Sequence, residues 1–308
     1  MIDNFLVIFQ QIIILFILVV AGFVCGKKKI ITDSGIKTCT AIVLYLATPS
    51  LIIKSYIREF SSELLGDFVI SIALSLAIHV VAIIITQCVY PTKNRTDKSA
   101  VCHYSCVFSN AGYMALPLQN AVLGDAGVFF GASYVAVFNL VSWTYGVWCM
   151  SKEKGAFSAK KLFNPGVIAV IIGVVIFVFS IPVHSTVSDA LEHLSNLNTP
   201  LPMIIIGYYL AGCDIKEALK QKSLYVVGLF KLIVIPMVCL GGLYVLGIRG
   251  NLLVSLVISI AAPVAANTAM FSVMFGRDKK LSVNLVSMTT VASLVTMSIV
   301  VALAQYIS

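Results

Sequence analysis

"FSNAGYMALPL", residues 108–118, lies inside a long apolar run, yet it carries Asn110, Gly112, Tyr113 and Pro117. Pro cannot donate a backbone hydrogen bond and clashes with the preceding helical turn. Gly and Asn are poor helix formers. In lipid an unsatisfied backbone group costs several kcal/mol, so an interruption there survives only when protein or a wet cavity surrounds it. The stretch therefore reads as a helix broken for a reason.

The rest of the chain gives it that setting. Of 308 residues, 59% are hydrophobic and 11% charged, with a mean hydropathy of +1.01. A soluble domain carries about 25% charged residues, so most of this chain belongs in a bilayer. The net charge of +8 could suggest nucleic acid, but the basic residues are scattered in short clusters between apolar runs, which is a membrane-topology pattern. The eight Cys include no C-x-x-C pair and read as small buried hydrophobes. His is scarce, and no metal site is expected. The N-terminal run "MIDNFLVIFQQIIILFILVVAGFVCGKKK" has Asp3 where a signal peptide would be basic, and reads as a permanent span.

A hydrocarbon core of about 30 Å needs roughly 20 apolar residues per helix. On that basis the fold class is an all-α integral membrane protein of ten transmembrane helices. They lie near 5–26, 36–56, 68–90, 100–120, 128–150, 165–183, 198–213, 224–246, 251–275 and 281–306. Of 21 Lys and Arg, 17 fall in the odd connections, among them Lys27–Lys29, Lys93, Arg95 and Lys98, the run Lys152 to Lys161, Lys216 to Lys222, and Arg277 to Lys280. The positive-inside rule then makes the odd connections cytoplasmic and both termini extracytoplasmic, in the plasma membrane.

The basic connection "SKEKGAFSAKKLFNP" divides the chain into residues 1–150 and 151–308, five spans each. An odd number of helices per half makes related halves inverted copies. Unusual residues recur at similar offsets. Pro49 in "LATPSLII" pairs with Pro200 in "LNTPLPMIII", 151 residues on; Pro117 pairs with Pro263 in "SIAAPVAANTAMF", 146 on; His79 pairs with Lys231, 152 on. Interrupted helices in corresponding places of two inverted halves point to a transport site.

A broken helix offers free N–H groups at one start and free C=O groups at the other end, and the N–H end attracts anions. The amides of Asn110 and Asn267 can cap the frayed backbone, bind substrate, or both. Gly112 allows close backbone approach. Tyr113 and Met114 either wall the site or pack towards lipid. Lys231, seven residues into its span, either snorkels or is a fixed or titrating cation inside the bundle. His79 is either a hydrogen-bonded bundle residue or a proton relay. Lys54 sits near the outer edge, and Asp125 in a short external loop.

With its ten spans, its N-out topology, "NAGYMALPL" in the fourth span and "AAPVAANTAMF" in the ninth, the chain looks like a bacterial member of the auxin efflux carrier family. That family includes the PIN-FORMED carriers of plants and bacterial permeases for malate or malonate, and resembles the bile-acid sodium symporters in fold. The resemblance covers essentially the whole chain. It implies a scaffold of spans 1, 2, 6 and 7, with a homodimer through it, and a transport domain of spans 3–5 and 8–10 moving as an elevator, with spans 4 and 9 broken and crossing. Carried over by position, it implies that Asn110, Pro117, Pro263 and Asn267 line the site, faced by the stretch after Pro49; with the residues read above, the candidate substrate contacts are Asn110, Gly112, Tyr113, Met114, Pro117, Ala262, Pro263, Asn267, Thr268, Pro49 and Ser50, and the coupling candidates Lys231 and His79. The connection 151–164 is short, so the long cytoplasmic loop of plant members, and control through it, is not expected.

The function expected is secondary transport of a small organic anion, coupled to H+, Na+ or the membrane potential, with no other cofactor and no nucleic-acid partner. Auxin-like indole acids and dicarboxylates stay open as substrates. A channel, uniporter or sensor reusing the fold is the alternative. No G-x-x-x-x-G-K-[ST] loop and no catalytic constellation point to an enzyme.

Overall fold

The computed structural model describes residues 2–93, 95–151, 164–213 and 215–308. The basic run with Lys152, Lys154, Lys160 and Lys161 lies outside them, as do the side chains of residues 2–9 and Ile12. Among the described residues all regular structure is helical. We number the helices α1 (Ile2–Lys27), α2 (Asp33–Ser55), α3 (Ser62–Val89), α4 (Asp97–Val107), α5 (Ala111–Met150), α6 (Pro165–Val178), α7 (Ser185–Ser195), α8 (Pro200–Ala211), α9 (Lys222–Val245), α10 (Gly250–Ala261), α11 (Asn267–Met274) and α12 (Lys279–Ile307). By length and composition α2, α3, α5, α9 and α12 are each able to cross a membrane. Large apolar side chains such as Ile17, Val69, Ile84, Val245 and Val295 lie exposed on the outer surface. In water that would be costly; in a bilayer lipid covers them, and the chain is membrane-embedded.

Local signals start the helices. Thr32 Oγ1 accepts from Gly35 N at 3.2 Å, Asn164 Oδ1 from Val167 N at 3.1 Å, and Asp278 Oδ1 from Leu281 N at 2.9 Å. Thr96 and Ser99 form a reciprocal capping box. The end of α5 is closed by arginines. Arg95 donates to Trp148 O (2.6 Å) and Cys149 O (2.9 Å), and Arg277 to Met150 O (2.7 Å) and Ser151 O (3.1 Å). Such cations satisfy the last carbonyls and suit the negative end of the helix.

These contacts also show how the connections sort. Arg277 bonds Asp97 at 2.8 Å and Met150 O, and Lys280 pairs with Glu217, so the segments around Asp97, Ser151, Glu217 and Arg277 gather together. Lys54 pairs with Glu192 at 3.2 Å, and Arg58 lies within electrostatic reach of Asp125, so the segments around Arg58, Asp125 and Glu192 form a second group.

Three features differ from the sequence expectation. First, Pro49 and Pro117 do not interrupt their helices, and neither does Pro236. Each follows a widened turn: Val43–Ala47, Ala111–Ala115 and Phe230–Val234. There the amides of Thr48, Leu116 and Ile235 bond five residues back instead of four. The wider turn makes room for the pyrrolidine ring.

Second, the loop expected at Asp125 shrinks to one residue. Gly124 takes φ 61°, ψ −151°, a conformation nearly reserved for Gly. Gln119 then lies against Gly131 so closely that a Cβ there would have no room. Twelve residues span about 18 Å of straight helix, so α5 folds back on itself at Gly124. Third, the segment after α6 forms a further short helix, α7.

The tightest helix pair is α1 with α8. A Cβ on Gly22 would fall 2.7 Å from Ile204 Cα, and one on Gly207 2.6 Å from Phe23 N. Small residues let membrane helices pack backbone to backbone where dispersion, not the hydrophobic effect, drives association.

Candidate functional site

Helix α4 stops at Val107 and the chain runs extended through Phe108 (φ −99°, ψ 122°) before α5 begins at Ala111. Helix α10 stops at Ala261. Ala262, biased to extended geometry by the following Pro263, has φ −59°, ψ 148°, and α11 begins at Asn267. The two interruptions pair with each other. Ser109 and Val264 form an isolated antiparallel bridge. Asn110 N donates to Pro263 O at 2.8 Å, and Ala265 N to Phe108 O at 3.0 Å. Val264 N donates to Thr289 Oγ1 of α12 at 3.2 Å. Backbone freed by each break is thus satisfied by the other, and both are buried.

Lys231 is fully buried at this junction. Its Nζ donates to Ser109 Oγ at 2.5 Å and to Ile260 O at 3.0 Å, and Ser109 Oγ donates to Ile260 O at 3.3 Å. Snorkelling is ruled out by that burial and those bonds. Ile260 is in the last turn of α10, where carbonyls lack helical partners and the macrodipole is negative. Among the described residues no Asp or Glu is buried, so a helix-end carbonyl and a hydroxyl stand where a counter-ion usually would.

Several sequence candidates fall around this crossing. Asn110 is buried, and its Nδ2 has no partner. Thr268 Oγ1 is likewise buried and unpartnered. Neither Asn110 nor Asn267 caps a helix: no side-chain bond is made at the start of α5, and the N-cap of α11 is Ala266. Met114 is buried and accepts from Ser293 at 3.8 Å, so it does not face lipid. Tyr113 is half-buried and packs with Ile36, Val43 and Ile205. Gly112 has nothing within 4 Å of where a Cβ would lie; it leaves space there, and no backbone approaches it closely.

Others lie apart. Pro117 sits inside α5, beyond the break. Pro49 and Ser50 belong to the end of α2, which packs on α6, α7 and α5. Tyr56 OH, just beyond them, donates to Phe129 O at 3.4 Å. The neighbouring Thr48 donates to Asn198 Oδ1 at 2.6 Å, tying the two proline segments together. His79, by contrast, lies beside the crossing: it is buried, bonds Ser75 O through Nδ1 at 2.7 Å, and its ring is 4.9 Å from that of Tyr134 and 6.1 Å from that of Phe108 in the break. Sequence reasoning missed Ser109 and Thr289. Ser109 adjoins Asn110 in the opening motif, while Thr289 lies in an unremarkable helix and carries no signal.

A family described as "Membrane transport protein" matches residues 7–161 and 154–301. An uncharacterized transporter of Methanothermobacter thermautotrophicus is 23% identical over 293 residues, covering 94% of this chain and 95% of that protein. One of Methanocaldococcus jannaschii is 22% identical over 303 residues, covering 94% and 96%.

Proposed function

The chain belongs to the membrane transport protein family, the auxin efflux carriers, and from that premise we propose that it is a secondary transporter carrying a small organic anion at the paired breaks. The observation that carries the choice of an anion is Lys231, buried at the crossing without a carboxylate. Two helix starts contribute about +0.5 each and two helix ends about −0.5 each. These nearly cancel, and the ammonium leaves the junction positive. Donors without partners, Asn110 Nδ2 and Thr268 Oγ1, are what a carboxylate would use.

In this reading the chain crosses the membrane ten times, as two inverted five-helix halves with both termini outside. The fold-back at Gly124 makes two crossings of α5, and α4 with the first arm of α5 makes one interrupted crossing, as do α10 and α11. The two groups of linked segments, odd connections in one and even ones in the other, support this count. Spans 1, 2, 6 and 7 serve as scaffold, and the crossing moves against them as an elevator. Tyr113, packed on scaffold residues Val43 and Ile205, lies where the two parts would slide. The ammonium of Lys231 supplies internally a charge that a coupling ion would otherwise bring.

The test is uptake of labelled dicarboxylates and indole acids into proteoliposomes. Lys231→Met and Asn110→Ala are expected to lower uptake at least about tenfold, since each removes an interaction worth about 1.4 kcal/mol or more. Folding should persist in Lys231→Met, because losing two bonds is offset by no longer burying an ammonium. Wild-type uptake by both variants would sink the proposal.

A further inference from the structure

Behind the crossing, α9 and α12 leave a groove of about 370 Å³ between them. Tyr225, Gly228 and Leu232 line one wall, Met288 and Ala292 the other. Gly228 opens it, because nothing lies within 4 Å of the position its Cβ would occupy. The hydroxyls in the lining are spent. Thr289 bonds Leu285 O at 2.6 Å and receives Val264 N, Thr296 bonds Ala292 O at 3.4 Å, and Tyr225 bonds Leu219 O at 2.8 Å. A ligand that needs hydrogen bonds gains nothing there, so the occupant is hydrocarbon.

One end of the groove says which hydrocarbon. Leu219 and Leu224 form that end. In the same turn Lys220 and Lys222 are exposed, and α9 begins at Lys222. Tyr225, an amphipathic ring suited to the membrane interface, closes over the turn. An apolar slot whose lining residues Leu219 and Leu224 flank two exposed lysines in the chain suits one molecule: an acyl chain joined to a negative head.

We propose that this groove is a specific site for an anionic phospholipid, its chain along Gly228 and its phosphate at Lys220 and Lys222. The site is independent of the transport reading. It shares a wall with the crossing, since Leu232 precedes the widened turn's end beside Lys231 and Thr289 holds Val264.

Native mass spectrometry of the purified full chain, with phosphatidylglycerol and phosphatidylcholine of identical dioleoyl chains, tests it. One phosphatidylglycerol should be retained in preference, by about five-fold for each lysine. Gly228→Leu enters the slot from a Cβ position with nothing within 4 Å and improves a helical position; it should reduce phosphatidylglycerol retention to the phosphatidylcholine level. Lys220→Ala/Lys222→Ala should keep a lipid bound and lose the headgroup preference. Equal retention of the two lipids by the parent protein overturns the proposal. So does a preference that survives either variant.

Discussion

At Pro117 the helix continues; at Pro263 it has stopped. Both prolines lie in long apolar stretches, and in the sequence they look like partners across two halves. In α5 the turn Ala111–Ala115 widens ahead of Pro117 and absorbs it. In the second half Pro263 lies in extended backbone and its carbonyl accepts from Asn110. The difference teaches that proline does not by itself open a membrane helix. A break persists where another segment pairs with the freed backbone. Segment 108–110 has such a partner in 262–265, whereas the segments before Pro49, Pro117 and Pro236 have their own widened turns.

The sharpest way to break this comparison is Asn110→Pro. Asn110 has φ −75°, close to the proline value, and Ser109 before it is already extended. The backbone angle suits proline, but the ring carbon takes the place of the hydrogen that points at Pro263 O, so the change deletes the bond and forces the two segments apart. Measured against Asn110→Ala, it should lower stability by about 2 kcal/mol or more, because the bridge is pushed open and Pro263 O is left buried and unpaired. Thermal unfolding in detergent reads the difference, and equal melting temperatures would show that the bridge does not hold the crossing.

Pro263→Ala adds an N–H to a packed junction and should cost about 1–3 kcal/mol. Pro117→Ala restores a donor inside a helix and should stay within about 0.5 kcal/mol of wild type. If the two shifts were alike, the contrast between paired break and widened turn would collapse. Thr48→Val removes the buried bond to Asn198. It should cost about 1 kcal/mol by unfolding while proteoliposome uptake holds, since neither residue belongs to the crossing. The smallest effect is expected for Lys54→Gln. Its pair with Glu192 is partly exposed, and such pairs give about 0–1 kcal/mol; a larger loss would mean the outer connections lock together more than their geometry suggests.

Much of the fold was legible because hydropathy and length constrain membrane helices so tightly. The expected spans at 68–90, 224–246, 251–275 and 281–306 each lie within two residues of a helical boundary at one end or both, and Arg277 brings its own segment to Asp97 and Met150. α7 escaped notice because it is short and polar. At the site, Asn110, Pro263 and Lys231 stood out, being rare residues in apolar runs. Whether each was a kink, a cap or a ligand was not legible, since that depends on what lies opposite. Lys231 is the clearest case: seven residues into a span allows either snorkelling or burial, and only Ser109 in the first break and Ile260 at the end of α10 decide between them.

By itself, then, the sequence determined that this protein is helical, membrane-embedded and interrupted near residues 110 and 263, because those properties follow from local composition and the bilayer's intolerance of unpaired backbone. The tertiary structure decided which interruptions are real, that they pair, and where the buried cation rests. The bridge and the bond from Lys231 to Ser109 join residues more than 100 positions apart, and no local rule of propensity or spacing reaches that far.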